Sequence, residues 1–271
     1  MTTDTRSPKL SSRAKYNLIY LLFTLYELRY KQIVLNNCGY HPSGLQTENG
    51  LQLQFYLELL NKVELPTERP LKILDIGCGQ AHGGIFLLQH YFAPQSQYTG
   101  IDISDVAIRY CKIKHRHLHN AEFVTSHNVP AFAEGTFDLV ISIETTYPRH
   151  ENNLQEISRL LKPAGMLLFA ETYSKQEADN YDLKLLGSGF EIINKTNVTD
   201  NIVAAFVHDN ERKLAYLKKL SWLPKKTLAF LGHYYGVIGS ARFKNYQSGQ
   251  RNGFIYAARK PSQACPGQTE H

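Results

Sequence analysis

The spacing of apolar positions along this chain changes several times, and the changes outline its elements. Leu71-Lys72-Ile73-Leu74-Asp75-Ile76 is a short run rich in branched residues and bounded by turn signals, as in a strand buried on both faces. Similar runs over 97–104, 122–125, 136–143 and 166–170 predict four more strands. Between them, 85–91, 105–116 and 151–162 have the length and apolar content of helices. The second of these ends in Lys112, Lys114 and Arg116, where cations suit the helix dipole. Strand and helix alternating in this way predict a parallel sheet with right-handed crossovers. Past Glu171 the alternation weakens: 190–194 and 253–258 read as a sixth and a seventh strand, with helices over 201–220 and 224–238 between them. Ahead of the first strand, 16–35 and 51–62 read as helices, with Leu18, Leu22, Leu25 and Leu28 as the apolar stripe of the first.

These patterns divide the 271 residues into a disordered leader over 1–15, a helical cover over 16–62 and a sheet core over 66–198. A helical insertion over 199–247, a last strand within 248–260 and a disordered tail over 261–271 complete it. Cys38, Cys78, Cys111 and Cys265 show neither disulfide nor zinc spacing, which fits incidental thiols in a reducing, cytoplasmic compartment. No apolar run approaches the roughly 18–20 residues of a spanning helix. The formal net charge of +6 is compatible with an anionic surface, yet modest enough to mean only solubility. Lys213, Lys218, Lys219, Lys225 and Lys226 interleave with Leu214, Leu217, Leu220, Trp222 and Leu223. This reads as a solvated basic face on a covering helix, or as a face for anionic headgroups. The first helix is likewise a cover packed on the domain, or an apolar lid open to peripheral membrane contact.

The chemistry concentrates after the first strand, where Gly77-Cys78-Gly79-Gln80-Ala81-His82-Gly83-Gly84 leads into a helix. Glycines here allow a sharp turn and let a ligand approach bare backbone. Asp102 ends the second strand, close to the spacing of about 20 residues at which a carboxylate grips ribose hydroxyls. The alternative is that this acid belongs to the cap of the next helix, although Ser104 or Asp105 could serve there. A dinucleotide loop would aim a helix N-terminus at a pyrophosphate, whereas Asp75 beside this loop repels phosphate and suits a cationic amino-acid group.

DIGCG followed by GIDIS resembles the nucleoside-binding half of the class I S-adenosylmethionine-dependent methyltransferases, over roughly 73–172. The resemblance implies S-adenosyl-L-methionine as cofactor, held by Asp75, Gly77, Cys78, Gly79, Asp102, Ile103, His127, Asn128 and Ile143. With the strand pattern, it implies an α/β fold: a Rossmann-like, seven-stranded, mostly parallel sheet with helices on both faces. More of the chain, including YTGIDISDVAIRYCKIKHR, IETTYPRHENNLQEISRLLKPAGMLLFAE and FKNYQSGQRNGFIYAARK, is similar to the bacterial phthiotriol-type and fatty-acid O-methyltransferases. That group implies a hydrophobic alcohol or carboxylic acid as acceptor. The chain departs from it at three places. Ala81 stands at the third glycine, Ser126-His127-Asn128 replaces the usual Gly-Asp-Ala, and Glu144-Thr145-Thr146-Tyr147 replaces Glu-x-x-His.

Methyl transfer from a sulfonium is chiefly a matter of alignment, and an alcohol acceptor gains from a base. Glu171, an acid in the resembled group, is the first candidate for that base. Glu144 is expected to organise the pocket, Tyr147 to donate a hydrogen bond, and His150 has a suitable intrinsic pKa. No cluster of acids or histidines suggests a metal, so a metal-free reaction is expected. No DNA partner is expected, and the lack of an RNA-binding module or Asn-Pro-Pro-Tyr argues against RNA. The competing readings are N- or C-methylation of a polar metabolite or RNA, or a cofactor-binding regulatory protein without catalysis.

Overall fold

Branched runs become β1 (Lys72–Ile76), β2 (Gln97–Asp102), β3 (Ala121–Thr125), β4 (Phe137–Ile143), β5 (Leu161–Tyr173), β6 (Glu191–Asn197) and β7 (Asn252–Arg259). In this computed structural model they form one sheet in the order β3-β2-β1-β4-β5-β7-β6. The structure describes residues 11–145 and 147–262, apart from the side chain of Lys175. The first five strands are mutually parallel; β7 runs antiparallel to both of its neighbours. This is the mostly parallel, seven-stranded sheet expected.

Helices α1 (Ser12–Tyr30) and α2 (Gly50–Leu60) precede the sheet. α3 (His82–His90), α4 (Asp105–Lys114), α5 (Glu151–Leu160) and α6 (Lys175–Gly187) connect its strands. α7 (Thr199–His208), α8 (Asn210–Lys219), α9 (Lys225–Tyr234) and α10 (Ala241–Gln247) lie between β6 and β7. Alternation along β1 sends Ile73 into one apolar layer, with Leu87 and Ile108, and Leu74 into the other, with Leu154 and Ile157. Helices therefore cover both faces, and the carboxyl ends of β1, β2, β4 and β5 share one rim, where ligands of such sheets bind.

Several expectations need correction. α1 begins at Ser12, inside the span read as a disordered leader, while residues 1–10 and 263–271 lie outside the described residues. Its buried face is Ile19, Tyr20, Leu22, Phe23 and Tyr26; of the expected stripe only Leu22 is buried, and Leu18, Leu25 and Leu28 are exposed. Aromatic rings fill the seam because they stack on Tyr216 and Tyr235 across it. The helix expected over 201–220 breaks at Asp209, and neither α6 nor α10 was expected. Lys213 is on the buried side of α8, whereas Leu214 and Trp222 are exposed, so these lysines do not form one solvated face. Among the described residues no helix is long and apolar enough to cross a membrane.

Candidate functional site

The turn after β1 is fixed by its own backbone. The amides of Gly77 and Cys78 both donate to the carbonyl of Ile101 at the end of β2, at 2.8 and 3.0 Å. Gly77 has φ +75°, and a Cβ built there would lie 2.2 Å from Thr145 Cγ2, so only glycine fits between the rim strands. Ala81 has φ +58° and caps α3, keeping at the third glycine position the left-handed backbone that glycine favours. Asp102 Oδ2 accepts the Gly79 amide at 2.9 Å and Oδ1 accepts the Ser104 amide at 2.8 Å. The helix cap itself is Ser104, whose Oγ accepts the Ala107 amide, so Asp102 is not spent on capping. Burial pushes its carboxyl above the usual range, and the backbone amides oppose that rise.

A cavity of about 650 Å³ opens over this rim. Gly77, Asp102, Ile103, His127, Asn128 and Ile143 line it on the sheet side, with Glu144, Tyr147 and His150 beside them. Tyr16 and Tyr20 from α1, and Tyr234 and Tyr235 from the end of α9, close the other side. Cys78 and Gly79 instead face an adjoining smaller cavity beneath Tyr20. Asp75 lines neither cavity. Strand alternation places it on the face of Ile73, where Oδ2 accepts the Tyr98 hydroxyl at 2.7 Å. Burial pushes it up to about 7 against that hydrogen bond, with the charge of Asp102 adding to the rise. Asp75 thus faces Tyr98 of β2, not either cavity.

A family model described as a methyltransferase domain matches residues 68–220. The chain belongs to this family. It is 26% identical over 207 residues to the fatty-acid O-methyltransferase of Mycolicibacterium smegmatis, covering 72% of each chain. It is also 26% identical over 254 residues to the phthiotriol/phenolphthiotriol dimycocerosates methyltransferase of Mycobacterium leprae, covering 89% of this chain and 90% of the relative. Among solved structures it resembles the [4+2]-cyclase SpnF, at a TM-score of 0.73 and 18% identity, covering 94% of this chain and 98% of that one. The cyclopropane synthase MmaA2 of Mycobacterium tuberculosis follows the same fold at a TM-score of 0.65 and 14% identity, over 90% of this chain and 95% of that one. The protein is therefore a class I S-adenosylmethionine-dependent methyltransferase. Its residues fit the cofactor. Asp102 keeps unshared lone pairs at the cavity wall, and Gly77 offers bare backbone beside it.

The catalytic candidates of this methyltransferase separate. Glu144, with φ +53°, ends β4 and lines the large cavity. Its Oε2 accepts the Cys38 amide at 3.1 Å; its Oε1 accepts the Cys38 thiol at 2.7 Å and Arg242 Nη2 at 3.1 Å. Arg242 also reaches Cys38 Sγ at 2.9 Å, and burial pushes the Cys38 thiol up, so it stays protonated and donates. Glu171 does not line the large cavity. It lies in a neighbouring one, which Glu144 and Arg242 also line, ion-paired to Arg149 at 2.8 Å and accepting the Thr172 amide. Tyr147 accepts the Val129 amide at 3.2 Å through its hydroxyl, and its phenol is raised by burial, which suits a hydrogen-bonding rather than a basic role. His150 is exposed at the start of α5. Cys38, Arg242 and the cover tyrosines were missed. The run Asn36-Asn37-Cys38-Gly39 looks like any polar loop, and Arg242 sits in a helix too short to show a period.

Proposed function

We propose that this methyltransferase methylates an oxygen of a hydrophobic small molecule, an alcohol or a carboxylic acid. The observation that carries this is the two-sided cavity: Gly77, Asp102 and a second carboxylate, Glu144, on the sheet side, and the tyrosines of α1 and α9 on the other. When bound, S-adenosylmethionine supplies an electrophilic methyl group on a sulfonium. Asp102 accepts ribose hydroxyls through its remaining lone pairs, and either His127 or Asn128 meets the adenine edge. The tyrosine rings of α1 and α9 give the acceptor an apolar seat and exclude water. Glu144 then takes the proton of an acceptor hydroxyl, held in place by Cys38 and Arg242. For a carboxylate acceptor the same residues only orient it, because no proton need leave. The fatty-acid and phthiotriol names of the relatives support a lipid-like acceptor.

The test is transfer of labelled methyl from S-adenosylmethionine into a cell extract separated into organic, polar, RNA and protein fractions. Label in the organic phase is expected, and label confined to RNA or protein would discard the reading. Beside it, Asp102→Ala should weaken S-adenosylhomocysteine binding on the order of 10²-fold in calorimetric titration. Wild-type affinity in that variant would move the cofactor site.

A further inference from the structure

Helix α1 has two faces in opposite surroundings. Tyr16 and Tyr20 turn toward the large cavity, while Leu18, Leu21, Leu25 and Leu28 stand 42%, 43%, 45% and 63% exposed. Their spacing puts all four leucines on one stripe of the helix. α4 flanks α1 on one side, through Asn17–Ser104 at 2.7 Å and Glu27–Lys114 at 2.6 Å. α8 and α9 flank it on the other, through Tyr26–Tyr216 and the Lys15 ammonium over Phe230. The leucine stripe is the outward side that neither flank covers. Single exposed leucines are ordinary; four aligned on one helix mark an interaction surface.

The elements around this face expose basic side chains: Arg29 and Lys31 at the end of α1, Lys112 on α4, and Lys225 and Lys226 at the start of α9. The acids along the α1–α4 seam, Glu27 and Asp105, are paired with Lys114 and Arg13. Trp222, 67% exposed between α8 and α9, adds the ring that favours a lipid–water boundary. We infer that this face docks on an anionic lipid surface, with α1 lying in the plane of the interface. A second copy fits poorly, since a two-fold contact would set the same basic side chains against each other. Because the opposite side of α1 walls the cavity, an acceptor carried in the bilayer would meet the cavity edge without crossing water. That last step rests on the hydrophobic acceptor proposed above; the docking does not.

Co-sedimentation with vesicles of equimolar phosphatidylglycerol and phosphatidylcholine tests the docking. The protein should pellet with these vesicles, stay in solution with phosphatidylcholine alone, and be released by salt. Replacing Leu21→Gln and Leu25→Gln together should weaken pelleting by about tenfold or more, with S-adenosylhomocysteine affinity unchanged as the check on folding. Absence of pelleting with anionic vesicles, or equal pelleting of the double variant, overturns the inference. So does a wild-type dimer that the double variant dissolves while vesicle binding is unaltered. Pelleting is read without turnover, so intact pelleting beside methyl transfer into polar molecules counts against the acceptor class alone.

Discussion

The sheet and the helical cover bury different things. In the sheet, Leu139, Val140, Leu167, Leu168 and Phe169 are wholly or nearly wholly buried among other apolar side chains, and Phe169 stacks on Tyr256 with centroids 4.9 Å apart. The cover packs rings and leucines of its own, and buries charge and amide among them. Arg212 pairs with Asp209 and Gln52, Lys213 lies beside them, and Arg242 meets Glu144 and Cys38. Apolar burial supplies stability roughly in proportion to area, whereas a buried ion pair must first offset desolvation and contributes mainly fixed geometry. The sheet is thus the stable frame, and in the cover Arg242 fixes Glu144 at the wall of the large cavity.

The sharpest way to break this contrast is to cut into the frame. Phe169→Ala should cost about 3–5 kcal/mol in denaturant unfolding, through lost transfer energy and the cavity left behind. A loss below about 1 kcal/mol would mean that the stack carries little of the stability.

Next comes the one buried acid of the first strand. The folded value of about 7 for Asp75 lies above its unfolded value near 4, so the native state holds an extra proton between those limits. The contribution of Asp75 is therefore fullest below pH 4 and falls as pH rises toward 7. Asp75→Asn should remove up to about 4 kcal/mol of that fall while keeping an acceptor for Tyr98. Parallel stability–pH curves for the two proteins would show that Asp75 does not titrate in this window.

In the cover, Glu144→Gln should lower turnover of an alcohol acceptor on the order of 10²-fold, with cofactor affinity nearly kept, and Glu171→Gln should do much less. The reverse order would restore Glu171 as the base.

The smallest effect has the opposite sign. Burial pulls the Lys213 ammonium down to about 8, and Asp209, which faces it at 3.8 Å, is also committed to Arg212. Lys213→Met should raise stability by about 1 kcal/mol, and a comparable loss would show that the cover depends on that charge.

Legibility in the sequence divides along the same line. β1, its glycine turn and Asp102 are joined by a few residues and one strand spacing, so their pattern was readable and their placement followed. The register of the insertion was less so, because burial of Lys213 and exposure of Leu214 invert what composition suggests. Glu144 is gripped from 106 residues upstream by Cys38 and from 98 residues downstream by Arg242, and no local pattern encodes such a meeting. Glu171 and Glu144 end adjacent parallel strands, so choosing between them required knowing which strand end the tyrosines of the cover overhang.

The two ends of the insertion meet. Asn197 pairs with Phe254 across β6 and β7, and the Val198 amide donates to Gly253 at 2.9 Å. Four helices thus leave the sheet and re-enter it at neighbouring positions, so loop closure constrains their length little, while Ile202, Phe206, Phe243 and Tyr246 still pack into the apolar layer of the sheet. For the engineer this is a cassette. An exchange of the segment between Val198 and Gly253 for that of a relative would have to keep the hydrogen bonds that Arg242 supplies to Glu144 and Cys38.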